Sequence, residues 1–373
     1  MYHKTIKIAL KFMAISGNTP QRGYSLFQVT LFLGNILSGL GVILLVIMKL
    51  VLQEDQLSFA NSKEKVAGAF LFVQGILKSS AIFINKSKVA ALLVEMEQFS
   101  TIDDFESSLY KSEFTKVNKV IKNTFVFTVI LHCYTAGAFL VPPIFAEGNT
   151  LPFDCYVPSW LGYFWVLIYQ ELVSMNTIML PVLAMDYFFM TTVRLTQVQF
   201  KILNEKVKRI FNNDGNDIDT NIKECVKYHN FLLRYAHMIN ETFSIFLLHL
   251  LCIEVLLMSF EIYTIMMKSD LETMRDGLIY IAATCTDFML CFCYPSQALM
   301  DEISEISNSA YCSKWYEHPK YSRDIRFIIQ RGQKSVLIEA GKFSPMDLRT
   351  GLATIQTMVS YAMFLKTMGG KGY

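Results

Sequence analysis

Seven stretches of about 20 mainly apolar residues recur along the chain, and this repetition constrains its fold more than any other feature. A stretch of that length, coiled as an α-helix, crosses the hydrocarbon core of a bilayer. The stretches are residues 24–52, 66–85, 123–145, 160–190, 242–266, 277–300 and 348–368. Only 18% of all residues are charged, whereas soluble domains contain about 25%. The sequence therefore predicts an all-α membrane protein with seven transmembrane helices.

Lys and Arg are distributed unequally between the two sets of connections. The N-terminus and the even-numbered loops hold 25 of these residues, whereas the odd-numbered loops and the C-terminal tail hold 6. In membrane proteins the cytoplasmic loops carry the excess of basic residues. The N-terminus, residues 1–23, is therefore predicted to lie in the cytoplasm. An odd number of spans then places the C-terminus outside.

The connections on the predicted cytoplasmic side have helical character. Apolar residues recur among basic ones over residues 202–210, and a second amphipathic stretch covers residues 321–333. We expect the helix that resumes at Ile222 to continue without a break into the fifth span. The second amphipathic stretch ends at a turn over residues 341–345.

These features predict a single seven-helix domain over residues 1–373. Residues 24–300 would hold the first six spans with their loops, and residues 301–347 a cytoplasmic segment. Residues 348–368 would form the last helix.

Ionisable residues inside the predicted spans are candidates for function. They are Lys78, Glu171, Asp186, Glu254, Glu261 and Asp287. Such residues usually face the interior of a helix bundle or a water-filled cavity. They can form pairs between helices, such as Lys78 with Asp186, or they can contact a ligand. Glu171 and Glu261 fall nearer the outside and are the better candidates for a ligand site.

The last span is unusually polar. Its apolar residues are interrupted by Thr350, Thr354, Gln356, Thr357, Ser360, Tyr361 and Thr367. Such a helix is poorly suited to lipid on all sides. It either lines water in a pore that several subunits enclose, or packs as a polar helix within a monomeric bundle. The pattern alone favours neither arrangement.

Other function classes lack the residues they need. The formal net charge of +2 and the absence of a basic cluster beside aromatics argue against nucleic-acid binding. The spacing of the eight cysteines matches no zinc or haem motif. No Ser/His/Asp or Cys/His arrangement points to nucleophilic catalysis. We therefore expect neither an enzyme nor a bound metal or cofactor.

The C-terminal residues resemble those of insect odorant receptors. The family pattern appears as Tyr311-Cys-Ser-Lys-Trp-Tyr316, Arg331-Gly-Gln-Lys334, Ala340-Gly-Lys-Phe-Ser-Pro345, Ser360-Tyr361 and Phe364-Leu365. The matching motifs are specific over about the last 65 residues. Over the rest of the chain, the resemblance rests on the length and on the spans. It implies an odorant-binding subunit of a ligand-gated, non-selective cation channel. Such a subunit would assemble with a co-receptor as a heterotetramer in the plasma membrane of sensory-neuron dendrites.

The resemblance also implies roles for individual residues. The last helix would line the pore for permeating cations, with Phe364 at the gate and Thr367 one turn outward. The family's gate residue is usually a smaller aliphatic one, and Phe364 departs from that pattern. Thr357 and Ser360 lie on a similar face by helical spacing. The cytoplasmic parts of the fourth to sixth helices, with residues 321–333, would form an anchor that joins subunits.

The odorant site of similar receptors lies in the outer half of the bundle, between the second, third, fourth, fifth and sixth helices. A small volatile ligand would there contact Phe70, Val73, Gln74, Tyr134, Gly137, Val141, Tyr163, Phe164, Leu167, Glu171, Tyr280, Ile281 and Thr284. For any single aromatic among them, plain core packing is the competing interpretation.

Three other classes of seven-helix or multi-span protein are alternatives. A G-protein-coupled receptor would have the opposite orientation and Asp-Arg-Tyr or Asn-Pro-x-x-Tyr motifs, which are missing. A gustatory receptor would share the topology and the pore, but the residues around Trp315 and Arg331 favour the odorant branch. A transporter would show internal repeats and broken helices. Within the odorant receptor family, the co-receptor itself would carry a longer fourth loop.

Overall fold

The structure is a computed structural model that describes residues 2–20, 23, 25–52, 59–100, 108–145, 151–212, 218–267, 271–334 and 336–369. The helices are, in chain order, α1 (Tyr2–Ile15), α2 (Leu26–Leu52), α3 (Phe59–Ile84), α4 (Lys86–Glu95), α5 (Ser108–Leu140), α6 (Pro142–Phe145), α7 (Tyr163–Val173), α8 (Leu180–Lys208), α9 (Ile218–Met267), α10 (Leu271–Asp287), α11 (Tyr294–Tyr311), α12 (Ser322–Gly332) and α13 (Leu348–Gly369). Short 3₁₀ turns cover Met96–Gln98, Trp315–Glu317 and Pro319–Tyr321, and two strands, β1 (Glu339–Ala340) and β2 (Ser344–Pro345), form an antiparallel pair.

Among the described residues, five helical stretches are long and apolar enough to cross a membrane. They are Leu26–Leu52, Lys111–Phe145, Tyr163–Lys208, Ile218–Met267 and Met274–Glu317. The second predicted span meets the same criterion only together with the helix that follows it, at a bend of 60°. The last helix, α13, is too polar to meet it, although its 22 residues are long enough to span a bilayer core. All seven predicted spans are helical, which confirms the predicted fold class.

Helix α8 lies at the centre of the molecule. Nearly all of its residues are buried, and Phe188, Phe189 and Phe200 have no exposed side-chain surface. A helix that is buried on every face must be surrounded by other helices. Helices α1, α5, α9 and α11 pack around α8, so the main core follows its length.

Helix α9 is one continuous element of 50 residues. At about 1.5 Å per residue it is more than twice as long as a bilayer core is thick. The fifth span therefore continues far into the predicted cytoplasmic side, as expected, although the helix begins at Ile218 rather than Ile222.

The last helix is positioned by the segment before it. Helix α12 confirms the predicted amphipathic stretch, since Ile325 and Ile328 are buried while its arginines are exposed. The β1–β2 turn then docks on α9, where the Glu339 amide donates to Asn240 Oδ1 at 2.8 Å. Asp347 caps α13 by accepting the Thr350 amide at 2.6 Å.

The N-terminal helix α1 was not predicted. The sequence indicated only a basic cytoplasmic segment, yet Ile6, Ala9 and Met13 are buried and α1 packs on α8. These three residues recur at intervals of three and four, which is the pattern of one helix face. The lysines between them obscured that pattern.

Two π-helical turns interrupt the membrane helices, at Ser174–Met179 and at Phe288–Cys293. Each lies directly before a helix whose first turn contains a proline. These prolines are Pro181 in α8 and Pro295 in α11. Proline lacks an N–H and collides with the carbonyl four residues earlier, so the local helix widens. The Thr177 carbonyl freed in this way approaches Gly75 of α3, where a Cβ would lie 2.0 Å from its oxygen.

Candidate functional site

A cavity of about 150 Å³ opens between the membrane-spanning helices next to the first π-turn. It is lined by Leu71, Gln74, Lys78, His132, Thr135, Ala136, Leu140, Phe153, Ser174, Met175, Ile178, Met179, Val182, Glu254, Tyr280, Ala283, Thr284 and Asp287. These residues come from α3, α5, α8, α9 and α10, from the π-turn and from the segment after α6. On α10 they recur at intervals of three and four, as one helix face does.

One member of a buried ion pair, Lys78, forms part of the cavity wall. Lys78 Nζ lies 2.9 Å from Asp186 Oδ2 and donates to Oδ1 at 3.1 Å, and both side chains are 4% exposed. The pair joins α3 to α8 and confirms the pairing predicted from sequence. Because both charges are shielded from water, each depends on the other for compensation.

Two further carboxylates lie beside this pair. Gln74 Nε2 donates to Glu254 Oε1 at 2.6 Å and thereby links α3 to α9. The Cys291 thiol donates to Asp287 Oδ1 at 3.2 Å within the second π-turn region. The polar side of the cavity therefore combines groups from α3, α9 and α10. Its remaining wall is mainly aliphatic, sulfur-containing and aromatic.

Three of the residues predicted to contact ligand line this cavity: Gln74, Tyr280 and Thr284. The ten others lie outside it. Phe70 stacks on Phe260 at 6.1 Å, and Leu167 is buried in the packing of α7. Tyr134 and Phe164 are 59% and 62% exposed, which is the exposure of lipid-facing side chains in this fold.

The other six predicted residues also lie outside the cavity. Val141 is 47% exposed, and the Tyr163 hydroxyl donates to the Pro143 carbonyl at 3.5 Å. Val73, Gly137, Glu171 and Ile281 are partly buried without lining the cavity. Ligand contact by these ten residues thus gains no support from the cavity.

Sequence reasoning missed most lining residues for a geometric reason. On α5 the cavity takes His132, Thr135 and Ala136, one or two positions from the predicted Tyr134 and Gly137. On the fourth span it takes residues of the π-turn and beyond, whereas the prediction stayed on α7. A π-turn adds one residue, so the face predicted for α7 does not continue into α8. The sequence signal that could have located the cavity was the presence of two ionisable residues, Glu254 and Asp287, inside the predicted spans.

Helix α13 has two distinct faces. Gly351, Thr354, Met358 and Ala362 are buried at intervals of three and four and pack on α9 and the second π-turn. The four residues predicted for the pore all lie on the opposite, exposed face: Thr357, Ser360, Phe364 and Thr367. The hydroxyl groups of Thr357, Ser360 and Thr367 donate to carbonyls within the helix, for example from Ser360 to Gln356 at 2.9 Å.

The second π-turn connects the cavity to α13. It begins directly after Asp287, which lines the cavity, and it contacts α13 at Gly351. A Cβ at Gly351 would lie 2.7 Å from Met289 Sδ and 2.9 Å from Cys293 Sγ. A second contact joins α9 to α13, because the Ser259 hydroxyl of α9 donates to the Met358 carbonyl at 3.1 Å.

The architecture is that of a seven-helix membrane receptor. It matches the structure of the insect olfactory receptor OR5 from Machilis hrabei in complex with eugenol, with a TM-score of 0.84 over 98% of both chains. The sequence identity of this match is 17%, so it establishes the fold.

A family model described as 7tm Odorant receptor matches residues 66–359, and the chain belongs to this family. Odorant receptor 85c of Drosophila melanogaster is 22% identical over 98% of this chain and 99% of its own length. Odorant receptor 85a of the same species is 26% identical over 64% of this chain and 62% of its own length. These relatives are receptors rather than enzymes.

Proposed function

We propose that this chain is the odorant-binding subunit of a heteromeric, ligand-gated, non-selective cation channel in the plasma membrane of sensory-neuron dendrites. Its partner would be an odorant co-receptor subunit, and its ligand a small volatile molecule. The two faces of α13 support this role above any other observation. One face packs on the bundle, and the opposite face carries a hydroxyl-rich stripe that no other described part of the chain covers.

Such a stripe suits a pore formed by several subunits around an axis. Exposed apolar side chains flank it on both sides, among them Leu352, Val359 and Met363 on one side and Met368 on the other. These flanks would pack on the last helices of neighbouring subunits, while Thr357, Ser360 and Thr367 face water and cations. Phe364 would form the narrow point of the pore.

The ligand would bind in the 150 Å³ cavity and act on α13 through the second π-turn. A ligand opens a channel only by binding more tightly to the open state. Filling the cavity changes the packing of Asp287 and the turn that follows it, and this turn contacts Gly351. The π-turn is suited to this task because its widened helix tolerates a change of register.

The direct test is electrophysiology in cells that co-express this chain with an insect odorant co-receptor. A panel of volatile compounds should include some that evoke a cation current, and cells expressing this chain alone serve as the control. If no compound evokes current in cells where both chains reach the surface, the channel role is rejected.

A further inference from the structure

Negative groups outnumber positive ones at the polar side of the cavity. Among the described lining residues, Lys78 is the only lysine or arginine, whereas Glu254 and Asp287 both contribute carboxylates. A third carboxylate, Asp186, stands directly behind Lys78. Three carboxyl groups thus lie around one ammonium group in a region shielded from water, where unbalanced charge is costly.

Lys78 balances the two lining carboxyl groups only in part. Its ammonium contacts both oxygens of Asp186, at 2.9 and 3.1 Å, so this pair is largely satisfied internally. Asp287 accepts a hydrogen bond from the Cys291 thiol, which is a weak donor. An ammonium ligand would therefore meet carboxyl groups whose charge Lys78 only partly offsets.

Glu254 has an unfilled hydrogen-bonding position. Its side chain is 5% exposed, and Oε1 accepts the Gln74 amide at 2.6 Å. Oε2 is shielded from water and has no hydrogen-bond partner among the described residues. Leaving a buried carboxylate oxygen without a donor lowers stability, and a ligand that supplied the donor would recover that loss.

The rest of the cavity fixes the size of the ligand. Leu71, Leu140, Ile178 and Val182 provide an apolar wall opposite the polar groups. A cavity of about 150 Å³ lined by such side chains holds a molecule of roughly the size of benzene. The occupant would therefore be one small apolar body with a single polar end.

We propose that the ligand of this cavity is a small volatile primary amine, bound as its ammonium ion with an N–H group donating to Glu254 Oε2. This inference rests on the proposed function and names its ligand class. The ammonium supplies the missing donor and offsets the excess negative charge of Glu254 and Asp287. A hydrogen bond between two ionised groups is about twice as strong as a neutral one.

The test uses four compounds with the same number of non-hydrogen atoms: benzylamine, benzyl alcohol, benzaldehyde and ethylbenzene. Their dissociation constants are measured on the full-length chain in nanodiscs at neutral pH. Benzylamine should bind about tenfold more tightly than the three neutral compounds, as one charge-assisted hydrogen bond allows. Glu254→Gln should remove this preference. Glu261→Gln, which changes a carboxylate two turns outward on the same helix and outside the cavity, should retain it.

Equal affinities for all four compounds, or a preference for benzylamine that survives Glu254→Gln, would overturn the proposal. Tighter binding of benzaldehyde would do the same, because it would show that Glu254 is a neutral donor to carbonyl ligands. Binding of ethylbenzene to the variant verifies that the cavity is intact; if the variant does not fold, the wild-type series decides alone. If neutral odorants evoke a current but the chain does not bind benzylamine more tightly than the neutral compounds, the amine proposal is rejected and the channel role is retained.

Discussion

Lys78 and Asp186 form a buried pair whose members cannot be removed singly without cost. Lys78→Met leaves the Asp186 carboxylate uncompensated and should lower the free energy of unfolding by about 3–5 kcal/mol. Thermal unfolding of the purified chain measures this loss. The double variant Lys78→Met/Asp186→Leu removes both charges and should recover much of it.

An exposed pair provides the matched control. Lys49 also pairs with Asp154, but their side chains are 22% and 49% exposed. Lys49→Met should cost only about 0–1 kcal/mol, since water screens such a pair. A comparable loss for Lys49→Met and Lys78→Met would contradict the account of the buried pair.

His229 lies in the cytoplasmic extension of α9, outside the predicted fifth span. Burial, and secondarily the positive charge of Arg331, lowers the pKa of His229 to about 4. The unfolded chain, with an ordinary pKa of about 6.5, binds the proton more readily. The stability that the neutral form provides is therefore complete above pH 6.5 and is lost as the pH falls from 6.5 towards 4.

This titration makes a measurable contribution to acid sensitivity. Between pH 7 and pH 5, His229 should account for about 2 kcal/mol of lost stability. His229→Gln should reduce the pH dependence of thermal unfolding by that amount. An unchanged pH dependence in His229→Gln would show that the buried ring does not titrate as described.

At the scale of single helices, the contact between Gly351 of α13 and the second π-turn should control gating. A Cβ in Gly351→Ala would meet Met289 and Cys293 and push α13 away from the turn. We expect a severalfold change in the odorant concentration for half-maximal current, with surface expression retained. Electrophysiology of the channel with its co-receptor measures it.

A second substitution at the same contact distinguishes packing from a general defect. Met289→Ala removes the closer of the two sulfur atoms that the added methyl group would meet, so Gly351→Ala/Met289→Ala should return towards the wild-type response. If the double variant responds like Gly351→Ala alone, this contact does not transmit the ligand's effect.

The elements themselves were largely predictable from sequence, but their internal registers were not. Apolar length predicted all seven spans, and apolar periodicity predicted α12 and the long α9. The two π-turns escaped prediction, although Pro181 and Pro295 mark their ends. Each added residue rotates the following helix, so the faces near Glu171 could not be extrapolated to Ser174 and Val182. On α10, before its π-turn, two of the three predicted residues line the cavity, Tyr280 and Thr284.

At the scale of the whole molecule, the orientation in the membrane remains a prediction from the distribution of Lys and Arg. An epitope tag at Tyr373 should be accessible to antibody on intact cells, whereas a tag at the N-terminus should require permeabilisation. Antibody access to the C-terminal tag only after permeabilisation would contradict the orientation and the receptor assignment with it.

The central claim is that the polar face of α13 lines a cation pathway, and cysteine accessibility tests it most directly. In channels formed with the co-receptor, a charged, thiol-specific reagent applied to Ser360→Cys should block the odorant-evoked current by more than half. Ala362→Cys, on the buried face of the same helix, should be insensitive to the reagent. Equal insensitivity of both variants, with odorant-evoked currents intact, would show that α13 of this chain does not line the pore.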